Sequence, residues 1–199
     1  MDRIILLIVR FYRKVKRLAL ETCQTYTIRL YLKRRNVSFI PQQFIIHGRL
    51  HISVDKQSRV TIGEGFVSWG GEYRCIDNRR FSKIVVKRGA ELLIGNYSGM
   101  SNSSIICSRS IKIGNYVKIG AGCIIEDFGN CDHEKIRGDS EGITIGDHVF
   151  LGTKSIICKN VSIGDKSIIA AGSVVCNNVP QGEIWGGNPA RFIKKIDLY

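Results

Sequence analysis

A fixed spacing of six residues separates large apolar side chains in the last third of the chain. Small residues follow several of these positions, and the pattern recurs from Ile113 and more loosely from Ile62. The regular positions are Ile145, Leu151, Ile157, Ile163, Ile169 and Val175. An α-helix would scatter residues spaced by six around its surface, and a hairpin sheet has turns at irregular intervals. The spacing therefore excludes both as the main architecture.

A coil with three short flat faces accommodates one hexapeptide on each face. Every sixth side chain then points into a triangular interior and stacks on its equivalent in the next coil. One coil cannot bury these side chains alone, so neighbouring coils share the stability. The pattern predicts an all-β parallel β-helix with roughly six coils between Ile62 and Val179.

Four phrases carry a family resemblance: residues 145–152 (IGDHVFLG), 161–165 (VSIGD), 170–175 (AAGSVV) and 187–191 (GNPAR). The chain resembles the hexapeptide-repeat acyltransferases, and within them the maltose/galactoside and capsular-polysaccharide O-acetyltransferase branch. The likeness is close over residues 111–196 and diffuse over residues 60–110. It implies a left-handed parallel β-helix, acetyl-CoA as acyl donor, a sugar or glycan acceptor, a homotrimer and no metal.

The hexapeptides are interrupted between Ile125 and Ile143 by a polar segment, residues 126–142. Such an insertion must loop out from a corner of the coil, and loops on rigid scaffolds often carry function. The resemblance implies that His133, which follows Asp132, is the catalytic base. Either Asp132 or a backbone carbonyl is expected to fix its tautomer. Imidazole suits this role because its pKa lies near ~6.5. A solvated surface histidine is the alternative, and Asp127 or Asp132 acting through water is the alternative base.

The resemblance also assigns contacts with the acyl donor, largely through the backbone. The positions are Gly152, Thr153, Ala171, Cys176, Asn177, Arg191 and Lys194. Arg191 and Lys194 are expected to face the phosphates of the nucleotide, although a basic C-terminal tail is an alternative interpretation. The family often has Thr-Lys where this chain has Cys176 and Asn177, so one charged contact is expected to be missing.

The N-terminal segment is strongly basic, with ten Lys and Arg against two acidic residues among residues 1–35. Residues 2–20 predict an amphipathic helix, and a second helical stretch is expected from Glu21 to Arg35. The longest apolar run, Ile4 to Val9, is far below the roughly 20 residues of a bilayer span. The segment either caps the coil end or holds the protein on an anionic membrane through residues 1–20, and the sequence leaves both open.

These features predict two regions: a helical segment over residues 1–40 and a β-helix over residues 41–199, with a tail from residue 180. The seven cysteines are odd in number and include no C-x-x-C pair, so a disulfide framework or zinc knuckle is not expected. We expect a cytoplasmic protein, peripheral to the inner face of the membrane if the segment binds lipid. Nucleic-acid binding is not expected because the basic residues lack a known binding module.

Two alternative functions share this fold. A metalloenzyme like the gamma-type carbonic anhydrases needs three histidines around zinc. Only His133 and His148 fall within the predicted regular coils, because His47 and His51 are expected to precede them. A noncatalytic β-helical scaffold is the other alternative, and the polar insertion with His133 argues against it.

Overall fold

The computed structural model describes residues 2–71, 81–128 and 142–196. The predicted three-faced coil is confirmed, with one sheet on each face. Sheet 1 contains β1 (Ile45–His47), β4 (Val67–Trp69), β7 (Gly99–Ser101), β10 (Lys118–Ile119), β13 (Phe150–Leu151), β16 (Ile168–Ile169), β18 (Glu183–Gly187) and β19 (Ala190–Lys195). Sheet 2 contains β2 (Arg49–Val54), β5 (Phe81–Val86), β8 (Ser104–Cys107), β11 (Ile124–Glu126), β14 (Ile156–Ile157) and β17 (Val174–Val175). Sheet 3 contains β3 (Arg59–Ile62), β6 (Glu91–Ile94), β9 (Ser110–Ile113), β12 (Ile143–Ile145) and β15 (Ser162–Ile163).

The residues spaced by six form the core, as predicted. Ile157 pairs with Ile125 on one side and with Val175 on the other, and all three side chains are fully buried. Tight corners connect the strands. At Gly152 an added Cβ would lie only 2.5 Å from the backbone nitrogen of Ala171, so only glycine fits between these two coils.

The coils begin one turn earlier than the sequence predicts. Strands β1 to β3 already form a complete coil, which ends at Ile62, the residue where the first coil is expected to start. One of the expected coils therefore precedes Ile62. This first coil escapes the sequence pattern because its buried residues do not keep a constant spacing of six: they are Ile46, Leu50, Val54, Val60 and Ile62.

The corner between sheets 3 and 1 is held by a ladder of side-chain hydrogen bonds. The backbone N–H of Asn96 donates to Oδ1 of Asn115 at 2.8 Å, and that of Asn115 donates to Oδ1 of Asp147 at 2.7 Å. The N–H of Asp147 donates in turn to Oδ1 of Asp165 at 2.8 Å. Each side chain therefore satisfies a backbone donor of the neighbouring coil, which fixes the stacking of successive corners.

Rings stack beside this ladder. The ring centroids of Tyr97 and Tyr116 lie 5.3 Å apart, and those of Tyr116 and His148 lie 4.8 Å apart. His148 is therefore part of a stack of rings at this corner.

His47 and His51 lie within the first coil, in β1 and β2, so the expectation that they precede the coils is wrong. The ring of His47 stacks on Trp69 with the centroids 4.0 Å apart, and its Nδ1 lies 3.7 Å from the carboxylate of Glu21. These contacts tie the N-terminal helix to sheet 1.

The N-terminal segment forms one continuous helix, α1 (Asp2–Arg34), where the sequence predicts two stretches. Ile28 and Leu32 are buried in the core at the end of the coil. The side chain of Arg29 donates to the carbonyl of Phe44 at 2.9 Å, and that of Gln24 donates to the carbonyl of Leu50 at 3.2 Å. The C-terminal part of α1 thus covers the first coil.

Further along α1 toward its N-terminus, Phe11, Tyr12 and Val15 are exposed. No helix among the described residues combines the length and apolar character that crossing a bilayer requires.

At the other end of the coil, β18 and β19 pair antiparallel, whereas the other strand pairs that the structure describes are parallel. The predicted tail from residue 180 therefore contains a hairpin.

Candidate functional site

The polar insertion leaves the coil after β11 and returns at β12, at the corner between sheets 2 and 3. The structure describes its start through Phe128 and its end from Gly142. His133 and Asp132 lie outside the described residues, so their catalytic roles stay predictions. The residues that flank the insertion nevertheless define where it is attached.

Asp127 anchors the start of the insertion. Its side chain is 2% exposed, and its carboxylate accepts backbone hydrogen bonds from three consecutive residues of the preceding coil. Ser108 donates at 2.6 Å, Arg109 at 2.7 Å and Ser110 at 2.8 Å. Because these donors occupy a buried carboxylate, Asp127 fits a structural role and not the role of alternative base.

Cys107 lies beside this anchor, with its Sγ 3.8 Å from Oδ2 of Asp127. Burial, together with the nearby carboxylate, raises the pKa of the Cys107 thiol to about 12. The thiol therefore remains protonated near neutral pH, and it is not a candidate nucleophile.

Three predicted donor residues meet at the corner between sheets 1 and 2. Gly152 is buried and donates its N–H to the carbonyl of Ile169 at 2.7 Å, while the carbonyl of Thr153 accepts from Gly172 at 2.8 Å. Ala171 is exposed at the same corner, one coil later. We call these positions, 152–154 and 170–172, the 1–2 corner.

The two predicted basic residues lie in β19. Arg191 pairs with Gly186 on β18. Gly186 lies against Ala170, since a Cβ added to Gly186 would be 3.0 Å from the Cβ of Ala170. Arg191 is therefore close to the 1–2 corner. Lys194 pairs with Ile184, two residues further back along β18. Both side chains are exposed, but only Arg191 is beside the other donor positions.

Cys176 and Asn177 lie at the opposite edge of sheet 2, just after β17. Both are exposed. The Sγ of Cys176 is 3.5 Å from the Sγ of Cys158, which occupies the equivalent position one coil earlier. We call positions 158–160 and 176–178 the 2–3 corner. The predicted donor residues thus fall at both edges of sheet 2, and Cys176 and Asn177 lie at the edge where the insertion leaves the coil.

An apolar strip covers the outer face of sheet 2 between these corners. Ile124, Ile156 and Val174 stand in register on three adjacent strands and point away from the core. Ile156 is 37% exposed. The corresponding outward row on sheet 3 is mostly polar and consists of Thr61, Leu93, Lys112, Thr144 and Ser162.

This strip and Cys158 are not among the site residues that the sequence predicts. Three hexapeptides make one coil, so residues 18 apart occupy equivalent positions in neighbouring coils. Ile156 and Val174 are 18 residues apart, as are Cys158 and Cys176, and this spacing could have indicated that they are neighbours. Within the described ranges, no group of three or more His, Cys, Asp or Glu side chains comes together as a metal site.

We predict that Asp127→Ala destabilises the protein by about 3 kcal/mol, because it removes the buried carboxylate that accepts three backbone hydrogen bonds. Glu126→Ala is the matched control, since this neighbouring side chain is only half-buried. Chemical denaturation of both variants measures the difference. Equal stability of the two variants would contradict the anchoring role.

Comparisons with known proteins agree with this architecture. Residues 142–177 match the family described as bacterial transferase hexapeptide (six repeats). No curated protein sequence gives a significant match. Among solved structures, a mutant of AntD, an N-acyltransferase from Bacillus cereus in complex with dTDP-4-amino-4,6-dideoxyglucose and coenzyme A, is 18% identical with a TM-score of 0.65. That likeness covers 85% of this chain and 90% of the AntD chain.

AntD in complex with dTDP and 3-hydroxybutyryl-CoA is 19% identical with a TM-score of 0.54, covering 78% of this chain and 81% of that chain. A hexapeptide transferase family protein from Anaplasma phagocytophilum is 21% identical with a TM-score of 0.51, covering 80% of this chain and 83% of that one. Residues 142–177 thus contain the hexapeptide repeat, and the chain shares the left-handed parallel β-helix fold of these solved structures.

Proposed function

We propose that this protein is an acetyl-CoA-dependent O-acetyltransferase acting on a hydroxyl of a sugar or surface-polysaccharide precursor. The apolar strip on sheet 2 carries the proposal, because it joins the predicted donor positions to the corner from which the insertion leaves. Ile156 and Val174 offer an apolar surface for the pantetheine arm of the donor. The half-buried Thr153 and the exposed Ala171 lie at the 1–2 corner, at one edge of this strip.

Charge supports one orientation of the donor. Arg191, beside the 1–2 corner, is suited to the phosphates of coenzyme A, because guanidinium groups bind phosphate strongly. The thioester end then lies toward the 2–3 corner, where Cys176 and Asn177 are exposed and the insertion begins. The positive charge of Lys194 attracts the same phosphates from a greater distance.

The chemistry proposed for the insertion is direct transfer. His133 removes the proton of the acceptor hydroxyl while the oxygen attacks the thioester carbonyl carbon. The C–S bond then breaks, and the leaving thiolate of coenzyme A takes the proton from His133. Asp132 holds the imidazole in the tautomer that leaves one nitrogen as acceptor.

N-acyl transfer to an amino sugar is a second candidate, favoured by the likeness to AntD and its dTDP-aminosugar complex. Assays with acetyl-CoA and matched hydroxyl and amino acceptors distinguish the two, because mild alkali cleaves an ester product and leaves an amide intact. Native mass spectrometry of the purified protein for coenzyme A or zinc tests the metalloenzyme and scaffold alternatives.

We predict that His133→Ala lowers kcat about 100- to 10,000-fold, the usual cost of losing a general base. His148→Asn is the matched control, because His148 lies in the corner stack and asparagine tolerates its backbone φ of 58°. Steady-state acetyl transfer is measured for both variants, with calorimetric binding of coenzyme A as a check on folding. Near-normal turnover by His133→Ala would assign the base elsewhere.

A homotrimer is proposed because two of the three faces are apolar in the later coils. Besides the strip on sheet 2, sheet 1 carries Phe150, Ile168 and Ile184 in register on its outer face. A cyclic arrangement of three copies pairs such faces and produces three equivalent sites.

Sedimentation is expected to give about three times the 22.3 kDa chain mass. Ile156→Glu should dissociate the trimer, because it places a charge in the apolar strip, whereas Thr144→Glu on the polar face of sheet 3 should not. An active monomer at assay concentration would overturn the trimer.

Residues 1–20 are proposed to bind an anionic membrane surface, which would hold the enzyme at the inner face of the cytoplasmic membrane. Phe11, Tyr12 and Val15 are exposed apolar side chains in this basic part of α1. The capping contacts belong to residues 21–34, so the two roles use different parts of the helix.

A variant lacking residues 2–20 should therefore keep its thermal stability and lose binding to vesicles that contain phosphatidylglycerol. Binding of the full-length protein should weaken as salt rises, because the basic residues supply much of the attraction. Neutral phosphatidylcholine vesicles are the control. Full-length protein that ignores anionic vesicles at low salt would refute membrane binding.

A further inference from the structure

Two cysteines at the 2–3 corner are close enough to react with each other. The Sγ atoms of Cys158 and Cys176 lie 3.5 Å apart. Their strands are direct neighbours, since Ile157 pairs with Val175 and the N–H of Cys158 donates to the carbonyl of Val175 at 3.0 Å. Neighbouring strands lie about 4.8 Å apart, within the Cα separations that disulfides span.

Accessibility distinguishes this pair from the buried cysteines. Cys176 is exposed and Cys158 is half-buried. Cys107 and Cys123 are fully buried, and burial raises the pKa of both thiols, so they are poor nucleophiles. Cys23 is exposed but lies on α1. Cys75 and Cys131 lie outside the described residues.

We propose that Cys158 and Cys176 form a reversible oxidation site whose disulfide closes the thioester end of the acyl-donor site. One thiolate attacks a peroxide oxygen and becomes a sulfenic acid, releasing water after protonation. The second thiol attacks this sulfur, forming the S–S bond and releasing a second water. Two thiols are oxidised, and one hydrogen peroxide is reduced to two waters.

The expected consequence rests on the proposed acyltransferase function. The bridge draws the two sulfurs from 3.5 Å to bonding distance. It therefore moves the exposed side chain of Cys176 and locks two coils together at the corner where the insertion begins. A donor that contacts Cys176 should bind less tightly to the oxidised protein.

Peptide mapping tests the bridge without reference to activity. Full-length reduced protein is treated with hydrogen peroxide at about pH 8, blocked with N-ethylmaleimide and digested with trypsin without reductant. Cleavage after lysine and arginine places each cysteine in its own peptide, residues 155–159 and 167–191. We expect one linked species with the summed peptide mass less two hydrogens.

Cys158→Ser should abolish the linked species, and Cys23→Ser should retain it. Failure to form the linked species in the wild-type protein, with both cysteines recovered unlinked, would overturn the oxidation site. Cys107 and Cys123 should remain unmodified under the same conditions.

Calorimetry with coenzyme A then tests the link to function. We expect at least a ten-fold loss of affinity after oxidation, restored by dithiothreitol. Unchanged affinity of the bridged protein would overturn closure of the donor site. Failure of the reduced protein to bind coenzyme A would refute the proposed acyltransferase instead, while peptide mapping still decides whether the bridge forms.

Discussion

Stacking of equivalent residues in successive coils is the constraint on which this structure depends. The described strands are only two to six residues long, and each except β19 forms its ladder with a strand one coil away. The inward side chains, such as Ile125, Ile157 and Val175, are buried only because the neighbouring coil covers them. Backbone hydrogen bonds and apolar burial therefore require the same register, and one residue of slip would disrupt both.

A stack of this kind has two open ends, and the chain treats them differently. At the first coil, the end of α1 buries Leu32 and satisfies the carbonyl groups of Phe44 and Leu50. At the last coil, β19 folds back antiparallel on β18. Both solutions cover strand edges that would otherwise be exposed to pairing with other chains.

The corner between sheets 2 and 3 is where the regular repeat and the candidate chemistry meet. The buried carboxylate of Asp127 binds the corner of the preceding coil just before the chain departs into the insertion. Cys158 and Cys176 occupy the same corner in the next two coils. One edge of the coil thus carries both the anchor of the insertion and the two thiols beside it.

The sequence by itself determined the fold class, because a period of six is incompatible with helix or hairpin geometry and repeats often enough to set the register. It also located the insertion and, through the family resemblance, predicted the donor positions. Only the tertiary structure decided that the first coil begins at Ile45, since its buried residues do not keep a constant spacing of six. It likewise separated Asp127 from the acidic residues considered as bases, because hydrogen bonds to residues 108–110 depend on stacking between coils that are distant along the chain.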